Sequence, residues 1–233
     1  MPDLFSSNLE MSATPLAQQA SGLLWSDILP NRIAVVVAAV LLLLEITDIL
    51  MLFPHLMRCI PFWKGNLELE HSVSVSRTRN TVALVAGFMF CIAADACSLF
   101  DPSWRAMAPQ WARLGITVAI FASFVLLRGL FYLISPLRSR SSEYACTVRH
   151  TFFNFFILYS FLAVLSAILL FAFGAGAGAV RVVLIVEAAA VYLADILRTT
   201  QILSSKYGVF ATILYLCALE FLPAGILIVT CTR

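Results

Sequence analysis

Six apolar stretches, each about 20 residues long, dominate this 233-residue chain and exclude most folds that exist in water. A helix needs about 20 predominantly apolar residues to cross the hydrocarbon core of a bilayer. The stretches cover residues 33–53, 81–100, 111–134, 152–173, 180–202 and 208–230. Proline or glycine residues separate most of them, as expected where helices end, and Pro54 follows the first. The sequence therefore predicts an all-α, polytopic transmembrane bundle of about six spans.

The composition supports this class and narrows the partners. Hydrophobic residues make up 61% of the chain and charged residues 12%, against about 45–50% and about 25% in a soluble domain. The lipid bilayer is therefore the expected main partner. Because the net charge is only +2 and no long basic run is present, nucleic acid is not an expected partner. We divide the chain into a polar tail with a short interfacial segment (1–32) and one transmembrane domain (33–233).

The loops orient the bundle. Lys and Arg are more frequent in the first, third and fifth loops than in the tails and the other loops. The positive-inside rule then places these loops in the cytoplasm and both termini on the outer side of the membrane. The fourth and fifth spans are linked only by a run of Gly and Ala (174–179), which predicts antiparallel neighbouring helices.

The first loop alternates apolar and polar residues over 66–77. A period of two favours an extended strand over a helix. Such a strand would offer an edge to a protein partner on the cytoplasmic side. A mobile polar loop is the alternative that the pattern leaves open.

Ionisable residues inside the spans are the main functional signal, because each costs about 2.5–3.5 kcal/mol at a helix centre. The candidates for a proton or ion relay are Glu45, Asp48, Asp95, Glu187, Asp195 and Glu220. The candidate charge partners are Arg128 and Arg198. We expect these side chains to turn inward. Glu45 and Asp48 are spaced to share a helix face, and Asp195 is spaced to pair with Arg198 along one helix.

Glu220 and Pro223 make the last span unusual. A rise of 1.5 Å per residue puts Glu220 about 15 Å from the outer boundary, near the midplane. Pro223 lacks an N–H, so the carbonyl of Leu219 is predicted to lose its helical donor. A kinked span with a carboxylate at this depth is typical of proton or cation sites in transporters. The alternative is a packing kink, with Glu220 hydrogen-bonded to a neighbouring tyrosine, threonine or backbone group.

The sequence holds no phosphate loop, nucleophile elbow, zinc-protease motif or dinucleotide fingerprint. We therefore predict no catalytic residue, no metal site and no cofactor. A basic cluster around the start of the fourth span is a candidate site for anionic lipid head groups, or charge that simply sets the topology. Its members are Arg138, Arg140, Arg149 and His150.

The C-terminal region carries a more specific pattern. Arg198, Tyr207 and Phe210 precede the sequence YLC-x-LE-x-LP, which runs over residues 215–223. This region resembles an uncharacterised family of integral membrane proteins from Bacteroidetes, known as a domain of unknown function. The resemblance implies the inner membrane of a Gram-negative bacterium and supplies no activity.

Three functions fit these features. The first is a multi-pass inner-membrane protein that acts without catalysis, as a subunit or assembly partner of an envelope complex. The second is a small proton- or cation-coupled transporter that uses the intramembrane carboxylates. The third is a membrane enzyme that modifies lipids at the basic cluster.

Overall fold

The computed structural model describes residues 25–60, 73–100, 102, 105, 107–134, 142–205 and 207–232. Over these residues the chain is helical and contains no strand. The helices are α1 (Leu29–Cys59), α2 (Val73–Ala96), α3 (Arg113–Ile134), α4 (Ser142–Ala172), α5 (Ala177–Ser204), α6 (Val209–Leu216) and α7 (Leu222–Thr232). A five-residue π-helical turn, Cys217–Phe221, joins α6 to α7. The predicted all-α bundle is confirmed.

Five helical segments are long and apolar enough to cross a membrane. They comprise α1, most of α2, α3 with the short 3-10 turn before it, most of α4, and the continuous segment that runs from α6 into α7. The predicted fifth span, 180–202, is helical throughout as α5, but α5 is not among the five. The protein is therefore a multi-pass membrane protein.

The first helix extends further than its predicted span. We expected a break at Pro54, but α1 continues through this proline to Cys59. The reason lies in packing: Leu52, Leu56 and Cys59 are buried in a cluster with Val82 of α2 and Ile157 of α4. Burial on both sides of the proline offsets the single backbone hydrogen bond that it removes.

The predicted strand is wrong where it can be compared. Residues 66–72 lie outside the described residues, but residues 73–77 form the first turns of α2. Alternation over so few residues is a weak signal beside the long helix that follows it. Protein binding through the 66–77 segment stays a prediction.

The hairpin between α4 and α5 is confirmed as a tight link. Gly174 adopts a positive φ of 78°, a conformation that glycine reaches without strain. The Ala175 amide donates to the Leu170 carbonyl, which closes the end of α4. The two helices then pack side by side, with Leu184 of α5 buried against Tyr159 of α4, whose hydroxyl donates to the Leu184 carbonyl.

Aromatic rings fill the centre of the bundle between α2, α3 and α4. Phe121 stacks on Phe156 with ring centroids 4.9 Å apart, and Phe90 meets Phe156 edge to face at 5.5 Å. Gly87 of α2 allows this close packing, because a Cβ there would lie 3.3 Å from the Phe121 ring. This core sets the rotation of α3 and α4, and with it the side of the bundle to which their polar groups point.

Candidate functional site

An arginine of α3 and the glutamate of the π turn form the centre of the candidate site. Both terminal nitrogens of Arg128 contact the Glu220 carboxylate: Nη1 binds Oε2, and Nη2 binds Oε1 at 2.6 Å. The two side chains are only 4% and 1% exposed. The guanidinium also lies 4.0 Å from the centre of the Phe152 ring, within the range of a cation–π contact. We call this pair the Arg128–Glu220 clamp.

Two tyrosines complete the surroundings of the clamp. The Tyr132 hydroxyl, one turn along α3 from Arg128, donates to Glu220 Oε1 at 3.1 Å. The Tyr192 hydroxyl of α5 donates to the backbone carbonyl of Glu220 at 3.0 Å. The clamp therefore joins three segments of the bundle through one glutamate.

The π turn explains how the chain accommodates Pro223. At its end, the Leu222 amide donates to the carbonyl of Cys217, five residues back, instead of to the residue four back. The external donor, Tyr192, reaches the Glu220 carbonyl, one residue along from the Leu219 carbonyl that we expected to be free. Single π turns of this kind occur often at functional sites. The predicted distortion at Glu220 is present, in the form of a widened turn.

Asp195 of α5 lies beside the clamp without joining it. It interacts electrostatically with Glu220 and Arg128. The residue is 1% exposed, and neither carboxylate oxygen has a hydrogen-bond partner among the described residues. The hydroxyl of Thr199, one turn further along α5, is also buried without a partner. Buried polar groups in proteins are nearly always satisfied, so this position is exceptional.

Arg198 does not pair with Asp195, and the predicted pair along α5 is wrong. Its Nε donates to the Ile60 carbonyl at the end of α1, at 2.8 Å, and its Nη1 binds Gln201 at 2.6 Å. A cation at a helix C-terminus is favourable, because the last carbonyls carry partial negative charge. Arg198 therefore ties α5 to the end of α1.

Asp95 forms a separate polar cluster at the end of α2. Its carboxylate accepts hydrogen bonds from the Trp25 indole at 2.6 Å, from the Thr117 hydroxyl at 2.9 Å, and from Arg105. Arg105 also donates to the carbonyl of Phe100. Asp95 is 3% exposed. Three donors bind this one carboxylate, and these contacts join the segment before α1 to α2 and α3. The cluster therefore has a structural role.

Glu187 is half-buried and lies apart from both clusters. Its Oε2 accepts a hydrogen bond from Ser166 of α4 at 3.0 Å. Along α5 it lies about 12 Å from Asp195. The structure thus distributes Asp95, Glu187 and the clamp among three separate groups of contacts, and it brings only Asp195 together with Glu220.

The two acids of α1, Glu45 and Asp48, differ from the other candidates in their burial and contacts. The buried positions of α1 form one stripe, with Asn31, Ala34 and Ala38 towards its start and Leu52, Leu56 and Cys59 towards its end. Glu45 and Asp48 fall on the same stripe, as their spacing predicts, but in its half-exposed middle. Among the described residues neither carboxylate has a hydrogen bond or an ion pair.

Only Arg149 and His150 of the predicted basic cluster are among the described residues. Arg138 and Arg140 lie outside the described residues. Arg149 is exposed, and its Nη2 lies 3.0 Å from Nε2 of the buried His150. This contact leaves binding of lipid head groups as a prediction.

Sequence reasoning did not identify several residues that complete these sites. They are Trp25, Arg105, Thr117, Tyr132 and Thr199. The spacing of Tyr132, four residues after Arg128, was a usable signal, because residues at this spacing share a helix face. Trp25 and Arg105 are far from Asp95 in sequence or lie in a loop, and no local pattern links them to it.

A groove on the outside of the bundle contains none of the acids. It has a volume of about 310 Å³ and lies between α3 and α7. Apolar side chains and Ser123 line it, including Ile116, Ile120, Phe124, Pro223 and Ile226. Within the described ranges, no group of three or more His, Cys, Asp or Glu residues is placed to hold a metal ion.

Comparisons with known proteins do not assign this site. No family model, curated protein or solved structure matches the chain.

Proposed function

We propose that this protein is a non-catalytic subunit or assembly partner of a membrane complex, and that α1 is the helix through which it binds its partner. The observation that carries the proposal is that Glu45 and Asp48, near the middle of α1, have no partner among the described residues. Two carboxylates on one face of an apolar helix require a favourable contact, because each is costly in the hydrocarbon region.

The packing of α1 supports this reading. Its most apolar window has a mean hydropathy of 2.6 but is only 11% buried, the lowest share among the five candidate spans. Either side of the acids the stripe is buried, while at the acids it is half open. The helix therefore has an incomplete contact at the level where its charges lie.

Charge decides the chemistry of the partner. A carboxylate pair inside a membrane is best compensated by Lys or Arg on a facing helix. We therefore propose that the partner is a transmembrane helix of another protein, and that this helix carries Lys or Arg at mid-membrane depth. A second copy of this chain would not supply it from Arg128, because that arginine is buried and bound to Glu220 in its own bundle.

Site-specific photo-crosslinking in native membranes tests the proposal. A photoreactive amino acid at Leu42, one turn before Glu45 and half-buried on the same stripe, should crosslink to one membrane protein. The matched position is Leu43, which is 68% exposed and points away from the stripe. It should crosslink mainly to lipid. Mass spectrometry of the product should identify a protein with Lys or Arg inside a span.

Substitution separates charge from packing. Glu45→Gln with Asp48→Asn keeps the shape of both side chains and should abolish the Leu42 crosslink, whereas Glu187→Gln should leave it unchanged. A Lys→Glu change in the captured span should restore the crosslink to a Glu45→Lys variant. Equal crosslinking at Leu42 and Leu43, crosslinks to lipid alone, or crosslinks to a second copy of this chain would each contradict the proposal.

A proton- or cation-coupled transporter is the second candidate, and Asp195 is the observation that favours it. An unpartnered, fully buried carboxylate beside an ion pair is the kind of group that transporters use. Against this, the described acids form separate groups and not one continuous path. Reconstituted protein that moves protons down an imposed gradient, and loses this activity in Asp195→Asn, would favour the transporter over the subunit.

The location that we propose rests on the sequence. The resemblance of 215–223 to a Bacteroidetes membrane family and the charge of the loops favour a bacterial inner membrane, with both termini in the periplasm. Reporter fusions at each terminus test this orientation directly. A fluorescent cytoplasmic reporter at either end would contradict it.

A further inference from the structure

Asp195 is a buried titratable group that neither the clamp nor the proposed partner surface uses. It is 1% exposed, and both its oxygens lack a hydrogen-bond partner within the described part of the chain. The Thr199 hydroxyl, on the same face of α5, also lacks one. Two neighbouring side chains therefore have buried polar atoms without a partner among the described residues, which is an unusual arrangement.

The charged and titratable groups around Asp195 do not supply it with a cation of its own. Arg128 and Tyr132 reach it electrostatically from α3, Glu220 from the π turn, and Tyr192 from its own helix. The only cation of this group is Arg128, and both its terminal nitrogens are engaged by Glu220.

The described cations on neighbouring segments bind other groups. On α4, which packs along α5, His150 is in contact with Arg149. Arg198 of α5 binds the end of α1. An ionised Asp195 would therefore leave one uncompensated negative charge in a site without access to water, which is strongly unfavourable.

We propose that Asp195 is a proton-binding site and that the position of its proton decides which carboxylate holds Arg128. The structure shows Arg128 on Glu220, and in this state the proposed proton is on Asp195 while Glu220 is ionised. When this proton moves to Glu220, the O–H bond on Asp195 breaks, one forms on Glu220, and Arg128 pairs with Asp195. Both states contain one proton, one cation and one carboxylate, so the net charge of the site is zero in each.

A metal cation fits the same place less well. Hard cations such as Ca²⁺ and Mg²⁺ take about six oxygen ligands arranged on several sides. The free oxygens here are those of Asp195 and Thr199, which project from one face of one helix. A proton needs a single oxygen.

The exchange has a structural consequence. Glu220 lies in the π turn and Asp195 on α5, so a change of partner by Arg128 moves the anchor of α3 from the last span to α5. A widened turn can return to regular α-helix when its side-chain contacts are lost, and such turns are frequent at functional sites. The proton would thereby control how tightly the last span is held.

Infrared spectroscopy of the full chain in lipid nanodiscs tests the proposal, because a protonated carboxyl group has a carbonyl stretching band that a carboxylate lacks. We expect this band in the wild-type protein and its loss in Asp195→Asn. Asp48→Asn, which removes an aspartate of α1 that has no partner among the described residues, is the matched control: it can remove only a contribution of its own and should keep the component that Asp195→Asn removes. A wild-type protein without the band, or an Asp195→Asn variant with a band as strong as that of the wild type, would overturn the proposal.

Glu220→Gln provides a second test that a purely structural aspartate would not meet. With Glu220 neutral, Arg128 should turn to Asp195, which then ionises, so the same band should disappear although Asp195 is intact. Persistence of the band in this variant would show that Arg128 does not exchange partners and would overturn that part of the proposal.

Two measurements on the wild-type protein keep the test decisive if a variant fails to fold. Carbon-13 labelling of aspartate should shift the band, and a band that does not move belongs to another residue type and would contradict the assignment. Addition of sodium chloride at constant pH should leave the band unchanged. Its loss on addition of sodium would assign the site to a metal cation instead.

Discussion

Arg128 and Glu220 lie 92 residues apart in sequence and meet through two parallel hydrogen bonds that tie α3 to the π turn of the last span. This two-bond geometry is the strongest way for an arginine to hold a carboxylate. It answers why an apolar helix carries a glutamate at mid-depth: the charge is matched by a second helix. Asp195, beside the pair, makes the site a group of two acids and one cation.

Because the site has two acids but one cation, we predict that loss of Arg128 lowers the free energy of unfolding more than loss of Glu220. Arg128→Leu leaves two buried carboxyl groups without a cation and should destabilise the fold by about 3–5 kcal/mol. Glu220→Gln should cost clearly less, because Asp195 remains to accept Arg128. Unfolding in mixed micelles titrated with sodium dodecyl sulfate, followed by circular dichroism, measures both free energies.

A suitable control for this comparison is Arg181→Gln. Arg181 is half-buried on α5 and has no partner among the residues that the structure describes, so its loss should change the free energy of unfolding by about 0.5 kcal/mol or less. Equal costs for Arg128→Leu and Glu220→Gln would mean that Asp195 does not substitute for Glu220.

The sequence was informative about helices and faces because these depend on local spacing. The shared helix face of Glu45 and Asp48 follows directly from a spacing of three residues. The partner of Glu220 did not follow, because rise alone placed Arg128 about 10 Å deeper than Glu220. Helix tilt, which averages about 20° in membranes, and the length of the arginine side chain close that gap. Neither can be read from one sequence.

At the start of α2, by contrast, a local pattern gave a wrong prediction of a strand. Residues 73–77 alternate in polarity, yet they are helical and continue into the long segment that packs at the bundle centre. Tertiary packing of Val75 and Val82 against α1 outweighs a short alternating pattern. The break expected at Pro54 is absent for the same reason, since α1 is buried on both sides of this proline.

We predict that Trp25 contributes to stability through its indole N–H. Trp25→Phe keeps most of the apolar ring but removes the donor to Asp95, which leaves Arg105 and Thr117 in place. A hydrogen bond to a charged group contributes about 1.5–3 kcal/mol, so the free energy of unfolding should fall by an amount in this range. Trp111→Phe is the control, because Trp111 is 66% exposed, and a similar loss there would contradict the assignment.

Close packing of α2 against α3 should make Gly87 sensitive to size. In Gly87→Leu the new Cβ would meet the Phe121 ring at 3.3 Å and the Phe156 ring at 3.7 Å. Overpacking of this kind costs about 1–3 kcal/mol. Gly129→Leu on α3 is the matched control, because nothing lies within 4 Å of a Cβ built there. Thermal unfolding in detergent should separate the two variants, and equal melting temperatures would show that the contact at Gly87 yields without cost.

The hydroxyl of Tyr192 should stabilise the π turn specifically. It donates to the Glu220 carbonyl at 3.0 Å, in a segment that ends beside a proline without an N–H. Tyr192→Phe removes that donor, and a neutral hydrogen bond contributes about 0.5–1.5 kcal/mol. The loss should appear as faster amide hydrogen exchange over residues 217–222, measured by mass spectrometry, with little change in α4. Tyr215→Phe is the control, because Tyr215 packs against Tyr207 through its ring and its hydroxyl has no partner in the described part of the chain. Exchange that rises equally in both variants would show that Tyr192 acts through the bulk of its ring, and the π turn would then owe its shape to Pro223 and the Arg128–Glu220 clamp alone.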